Sequence, residues 1–230
     1  MKEIFQDYLY ISEKYPKEKY LTKMERKQRY ELLNKWLEGK YENFPNIEEI
    51  LEFVKSNQKV YFYRQFYIKI IAPYVKKYLQ NEVKDDSILD IIIYLMEKNK
   101  EILSIISDAM NWIYSPMEIA DRILEKNPEN ETILNYKYKN MLNFMVFSIH
   151  EVPYGVIDGM DGLKKENIKY MLKYVDDFEK ICSVLKKETV YNKNLIDDCR
   201  IYYKAWEKYL NNSEKYESFE KYLIDNGIRY

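Results

Sequence analysis

The sequence predicts an all-α protein of about ten helices with no β-sheet. Apolar residues recur every three or four positions through most of its 230 residues, which is the spacing of one face of an α-helix. Sustained alternation of apolar and polar residues, the pattern of a half-buried strand, is missing from the sequence. Because the connections between helical segments are mostly short, we expect antiparallel hairpins that form an irregular bundle or a short solenoid-like array.

The size of the chain favours a single all-α domain over residues 1–230. At 28.2 kDa the chain can bury roughly 70–75% of its unfolded surface, which is enough for one stable core. The alternative division is into three subdomains at 1–82, 83–163 and 164–230, which differ in charge. Basic and acidic residues number 16 and 12 in the first, 7 and 14 in the second, and 14 and 12 in the third.

Prolines and capping residues set the boundaries of the helices predicted in the first half of the chain. Pro16 ends the first helix, and Gly39 is a C-terminal cap for the second. Asn46 and Glu49 form a capping pair at the start of the third. Pro73 is expected to kink or restart the fourth helix. The six helices lie at 3–13, 17–38, 46–54, 59–79, 87–98 and 101–112.

The second of these helices combines a strongly charged outer side with one apolar stripe. Because the stripe has helical spacing, we expect it to face the core. It consists of Tyr20, Met24, Tyr30, Leu33 and Leu37.

Two similar helix starts mark the second half of the chain. Ser115 and Asn127 each precede a proline, which is favoured at the first helical position. Glu118 completes a capping box with Ser115. The five helices predicted in this half lie at 115–126, 128–149, 164–187, 194–211 and 214–225.

The helix at 128–149 changes character along its length. Between residues 141 and 149 apolar side chains occur on nearly every side of it, and a helix that is apolar all round is normally enclosed by others. We therefore expect residues 141–149 to be the middle of the core. Pro153 ends the helix and begins a glycine-containing loop at 153–162.

The start of this loop holds the only histidine of the chain. An imidazole beside a carboxylate can act as a general base or help to bind a metal. The spacing does not match a zinc-protease motif or a calcium loop, and the sequence has no nucleophile motif or phosphate loop. A structural histidine, a binding histidine and a catalytic histidine are therefore three alternatives. The candidate binding residues of the loop are His150, Glu151, Tyr154, Asp158 and Asp161.

The acidic segment at 83–163 favours a non-enzymatic protein that binds another protein. Opposite charges steer association, so we expect a partner with a basic surface that contacts Asp121, Glu125 and Glu129. As an acidic protein that is expected to bind another protein, the chain is similar to small neutralising proteins, such as the immunity proteins that block bacterial toxins. The second hypothesis is an enzyme or small-ligand binder centred on His150 and the glycine loop.

A third hypothesis is weak nucleic-acid binding through the basic aromatic segment 59–79. This segment has no acidic residue, and its cations and rings suit phosphates and bases. The basic residues are spread around the predicted helix, however, and the pI of the whole chain is about 6.1. Nucleic acid is therefore the less favoured partner.

Several features favour a protein that is cytoplasmic, or exported by a route that leaves no Sec signal, and that has no membrane partner, cofactor or metal. Glu3 and Asp7 interrupt what would be the apolar part of a signal peptide. The longest apolar run, at 91–96, is far shorter than the ~18 residues that cross a bilayer. Cys182 and Cys199 are too few for a disulfide framework and lack zinc-site spacing. The oligomeric state is left open.

Residues 122–134 resemble the hinge between two tetratricopeptide repeats, where one helix ends at a proline turn before the next begins. The prolines do not recur at the roughly 34-residue period of that family. The resemblance covers one junction and implies neither a repeat array nor a function.

Overall fold

The computed structural model describes residues 1–17, 19–157 and 163–230. The protein is 69% helical, and the described residues form eleven helices and no strand. The helices pack against one another as in a bundle, so the predicted fold class is confirmed. In this part of the chain no helix has both the length and the apolar character that a membrane span requires.

Residue contacts divide the chain into two compact units, Met1–Pro128 and Glu129–Tyr230. The expected single domain and its alternative division at residues 82 and 163 stay predictions. In unit 1 the helices are α1 (Glu3–Lys14), α2 (Lys23–Glu38), α3 (Ile47–Ser56), α4 (Arg64–Phe66, Tyr67–Ile71 and Ala72–Leu79), α5 (Ser87–Lys98), α6 (Ile102–Ala109) and α7 (Pro116–Lys126). In unit 2 they are α8 (Glu131–Ile149), α9 (Ile168–Val184), α10 (Val190–Leu210) and α11 (Phe219–Asp225).

Two predicted capping pairs begin helices of unit 1. At α3 the Asn46 side chain accepts a hydrogen bond from the Glu49 backbone at 2.9 Å, and the Glu49 carboxylate accepts one from the Asn46 backbone at 2.9 Å. Ser115 and Glu118 make the same reciprocal pair at α7. In both pairs the backbone N–H lowers the pKa of the glutamate, because it stabilises the charged form.

Helix α2 differs from its prediction in two ways. It begins at Lys23, after the N-cap Thr22, instead of at residue 17. Only its C-terminal half packs on the core, because its buried residues are Leu33 and Trp36. The expected inward stripe is therefore wrong in its first part, where three large side chains face solvent: Tyr20, Met24 and Tyr30.

Helix α4 lies at the centre of unit 1. Its Phe66 ring is fully buried, with its centroid 5.0 Å from that of Tyr8 and 4.6 Å from that of Phe62. Trp36 joins the same cluster and donates its indole N–H to a backbone carbonyl of α1. Aromatic pairs at these distances stabilise a core beyond the burial of apolar area. The middle segment Tyr67–Ile71 has π-helical turns.

Four helices end in a residue of left-handed conformation whose N–H, with that of the next residue, bonds back to the last turn. This arrangement satisfies carbonyl groups that a helix end otherwise leaves without partners. The four residues are Asn81, Asn111, Lys186 and Gly227. In the described part of the chain, two further residues have a positive φ without ending a helix, namely Trp112 and Ile157.

Helices α8, α9 and α10 pack together as the core of unit 2, and α11 packs on α10. Met145 of α8 and both Cys199 and Tyr203 of α10 are fully buried. The hydroxyl groups of Ser148 and Tyr203 are hydrogen-bonded to each other, so this core satisfies the polar groups that it buries.

Helix α8 is buried on one side only. Met141, Met145 and Ser148 are buried, whereas Val146 and Phe147 face solvent. The expectation that residues 141–149 are enclosed is therefore wrong. Helices α9 and α10 cover one side of α8, and its other apolar side remains a surface of unit 2.

Candidate functional site

The open side of α8 and the residues that follow it form the candidate site, which we call the histidine surface. Positions 146, 147 and 150 share one side of the last helical turns, because residues three and four apart are neighbours on a helix. Every side chain of the surface is at least partly exposed. The histidine surface consists of Val146, Phe147, His150, Glu151 and Tyr154.

His150 is the C-cap of α8, and its ring is held by neighbouring groups. The imidazole Nδ1 is hydrogen-bonded to the carbonyl oxygen of Phe147, and the two rings stack with centroids 4.9 Å apart. Its Nε2 lies 3.8 Å from a carboxylate oxygen of Glu151. The ring is oriented but accessible, so both the structural and the binding alternatives for His150 are compatible with this geometry.

The first part of the loop after His150 is hydrogen-bonded to helix α8. The N–H of Ile157 donates to the carbonyl oxygen of Ser148 at 2.7 Å. Ile157 has a φ of 56°, which is an outlier for a β-branched side chain and costs on the order of 1–3 kcal/mol. The surrounding contacts therefore have to hold this residue in place.

The base of the loop is anchored to the core of unit 2. Val156 is fully buried, and its carbonyl oxygen accepts a hydrogen bond from the N–H of Leu163 at 2.7 Å. The indole N–H of Trp206 donates to the carbonyl oxygen of Leu163 at 2.7 Å. Tyr154, which is 80% exposed, is thus presented from a fixed base.

The charges of this region are negative. Between Lys139 and Lys164 the sequence has no lysine or arginine, and its acidic residues are Glu151, Asp158 and Asp161. Glu151 belongs to the histidine surface, whereas the predicted site residues Asp158 and Asp161 lie outside the described residues. Negative charge beside exposed apolar groups is complementary to a basic surface.

The three acidic residues predicted to contact a partner are divided between the two units. Asp121 and Glu125 lie one turn apart on α7, and Glu129 is the first residue of unit 2. Glu125 also forms an ion pair with Arg122 at 2.6 Å. The structure therefore brings Asp121 and Glu125 together on one exposed helix face.

The basic aromatic segment 59–79 is used largely within unit 1. Arg64 forms an ion pair with an aspartate of α6. The ammonium group of Lys69 donates to the carbonyl oxygens of Leu37 and Gly39 at 2.8 and 2.6 Å, and burial lowers its pKa. Most of the rings of this segment are in the core. Few of the cations and rings that suggested nucleic-acid binding are therefore available to contact a nucleic-acid strand. That hypothesis stays untested.

A second exposed apolar surface, which sequence reasoning missed, lies between α6 and α7. Trp112 is 58% exposed, and Ile113 beside it is exposed as well. The predicted helix at 101–112 placed Trp112 inside a helix, but α6 ends at Ala109 and Trp112 has a φ of 58°. The Ser107 hydroxyl fixes the loop by donating to the carbonyl oxygen of Tyr114 at 2.7 Å. No glycine marks this turn in the sequence, and the signal that could have indicated it is Asn111, since asparagine also adopts the left-handed conformation at the end of a helix.

Unit 2 also contains two thiol groups, which could be nucleophiles. Cys182 and Cys199 are free and buried, and burial raises the pKa of each thiol to about 11. The thiolate, which is the reactive form, is therefore scarce at neutral pH. Among the described residues, no group of three or more His, Cys, Asp or Glu side chains is arranged to hold a metal.

Comparison of the chain with protein-family models, with curated proteins and with solved structures gives no match. The histidine surface joins exposed aromatic groups, an oriented imidazole and negative charge on an anchored base, and this combination suits recognition of a partner.

Proposed function

We propose that this is a non-enzymatic protein that binds another protein through the histidine surface. The observation that carries the proposal is a set of exposed apolar side chains on a rigid support, with Val146 and Phe147 on α8 and Tyr154 on the anchored loop. Exposed apolar side chains that lie together mark interaction sites. Aromatic residues dominate the binding energy of many interfaces because they bury a large area at a small entropic cost.

The partner that fits this surface has an apolar patch bordered by lysine or arginine. Phe147 and Tyr154 supply the apolar contact, and Glu151 faces the basic border. Such charges at the rim of an interface increase the association rate and the specificity more than the affinity. A neutralising, immunity-type role agrees with this chemistry, because a neutraliser covers a complementary surface on its target.

Affinity capture with three forms of the chain tests the proposal. Wild type is compared with Phe147→Ser and with the control Ile201→Ser, which removes an apolar side chain of similar exposure (48% against 45%) from α10 of the same unit. We expect wild type and the control to retain the same basic protein, and Phe147→Ser to bind it at least about tenfold more weakly. Equal capture by all three forms would exclude the histidine surface as the contact.

The imidazole–carboxylate pair at 3.8 Å supports the second candidate, a small-ligand binder or enzyme. A small molecule that co-purifies with wild type and is lost in His150→Gln, with no protein partner retained, would favour this candidate.

A further inference from the structure

The N-terminal end of α2 and the residues before it form a cationic cleft in unit 1. The cleft is a cavity of about 350 Å³ lined by four basic and two apolar residues: Lys17, Lys19, Tyr20, Leu21, Arg26 and Arg29. Residues 14–35 contain eight lysines and arginines and three glutamates, which gives this region a net charge of +5. A concave surface of one charge attracts counter-charged ligands more strongly than a flat one.

Two of the cations are positioned by aromatic rings instead of carboxylates. The ammonium group of Lys17 lies 4.1 Å from the ring centroid of Tyr61, and the guanidinium group of Arg29 lies 4.9 Å from that of Tyr63. The two rings are nearly perpendicular, and the Tyr63 hydroxyl donates to the carbonyl oxygen of Tyr15 at 2.6 Å. Cation–π contacts orient a cation without cancelling its charge.

Few carboxylates among the described residues neutralise the charge of the cleft. Within the part of the chain that the structure describes, no carboxylate forms an ion pair with Lys17, Arg26 or Arg29. Lys19 lies 3.7 Å from Glu25, but that carboxylate also accepts a hydrogen bond from the N-cap backbone of α2 at 2.8 Å. Among the described residues, an anion entering the cleft would therefore meet three cations whose charge no ion pair offsets, namely Lys17, Arg26 and Arg29.

Tyr20 adds a second kind of contact at the same place. Its side chain is 93% exposed although it lines the cleft. An exposed ring beside several cations matches the chemistry of single-stranded nucleic acid, whose phosphates need cations and whose unpaired bases stack on aromatic rings. A duplex keeps its bases stacked on one another, and an acidic peptide leaves the ring without a role.

We propose that this cleft binds single-stranded nucleic acid. Phosphates contact Lys17, Arg26 and Arg29, and one base stacks on Tyr20. The planar guanidinium groups of the arginines suit phosphate oxygens, because they present paired N–H donors. The cleft is in unit 1 and uses different residues from the histidine surface. Nucleic-acid binding by the cleft can therefore be tested independently of the proposed protein binding.

Fluorescence anisotropy with a labelled oligothymidylate of about twelve nucleotides tests this proposal at low salt. The variant Lys17→Gln/Arg26→Gln removes two exposed cations from the cleft, and the control Lys76→Gln/Lys77→Gln removes two exposed cations from α4. We expect the cleft variant to bind at least about tenfold more weakly, and the slope of log K against log salt to fall by roughly 1.4. The control should bind within about twofold of wild type.

A second variant separates nucleic acid from other anions. Tyr20→Ala should weaken oligothymidylate binding by about 5- to 150-fold, the range expected for one lost base stack, and leave the binding of inorganic polyphosphate unchanged. Three results would overturn the proposal: no oligothymidylate binding at low salt, equal losses in the cleft variant and the control, or polyglutamate binding as tight as that of oligothymidylate.

Discussion

The cationic cleft of unit 1 and the histidine surface of unit 2 carry opposite charges. Residues 14–35 have a net charge of +5, whereas residues 140–163 contain three acidic residues and no lysine or arginine. The chain as a whole has a net charge of −1. The near-neutral net charge of the chain therefore hides two regions of opposite charge. Binding at each surface depends on the charge of its own region and not on the net charge of the chain.

The two surfaces also use aromatic rings differently. In the cleft, Tyr61 and Tyr63 support cations that face the ligand, and Tyr20 is the exposed ring. In the histidine surface, Phe147 and Tyr154 are themselves exposed. We therefore expect ligand binding in unit 1 to depend strongly on salt, and partner binding in unit 2 to depend mainly on apolar contact and less on salt.

The largest expected effect separates the two sides of helix α8. Met145→Asp should unfold unit 2, because a charge forced into a fully buried position costs several kcal/mol. Val146→Asp, one residue away on the exposed side, should change the unfolding free energy by less than about 1 kcal/mol. Thermal denaturation of both variants measures the difference. Equal destabilisation would show that α8 is enclosed on both sides.

Alkaline pH should destabilise unit 2 through its buried thiols. The folded pKa of Cys182 and of Cys199 is about 11, against 9.0 for an ordinary thiol. The folded state therefore holds protons that the unfolded state has released above pH 9. This stabilisation is complete below pH 9 and is lost as pH rises towards 11, by roughly 2–5 kcal/mol in total.

Denaturant unfolding at pH 8 and at pH 11 measures this loss. Cys199→Ala should reduce the difference between the two pH values, since it removes one of the groups whose pKa burial raises, while the buried Tyr203 phenol, whose pKa is also raised, contributes in both proteins. A pH dependence that is identical in wild type and in Cys199→Ala would contradict the role assigned to that thiol.

Changes within the histidine surface should affect binding more than stability. We expect His150→Gln and Tyr154→Ala each to weaken partner binding by about 1–2 kcal/mol, while the melting temperature stays within a few degrees of wild type. Calorimetric titration and thermal melting provide the two numbers. Loss of affinity only in proportion to lost stability would indicate that the loop is a plain connection.

The smallest expected effect concerns long-range charge. Reversal of Asp121, Glu125 and Glu129 to lysine should slow association with a basic partner several-fold and leave dissociation nearly unchanged. Added salt should reduce the difference, because it screens exposed charges. Stopped-flow association rates at two salt concentrations test this. Rates that respond neither to the reversal nor to salt would remove the electrostatic part of the proposal.

Local signals in the sequence predicted the fold class and several helix starts. The pairs Asn46–Glu49 and Ser115–Glu118 are capping boxes in the structure, as their spacing indicates. Such predictions succeed because a cap depends on residues within one turn. The covered side of a helix depends on distant elements, which is why the open side of α8 and the exposed Tyr20 were missed.

The candidate sites were only partly predictable. The sequence indicated His150, Glu151 and Tyr154 as candidate residues because a single histidine stands beside a proline and glycines. Val146 and Phe147 were assigned to the core, because an apolar residue has the same sequence pattern whether it is buried in a core or exposed at an interface. The basic aromatic segment 59–79 suggested a ligand site, yet most of its rings are in the core of unit 1.

Photo-crosslinking from the histidine surface tests the central claim most directly. Benzoylphenylalanine replaces Phe147 in one form of the chain and Ile201 in another, and both forms are irradiated in a lysate of the native host. We predict an adduct with one basic protein from position 147 only, which excess unlabelled wild-type chain prevents. Adducts from position 201 with none from position 147, or adducts that wild type does not compete away, would contradict protein binding through this surface.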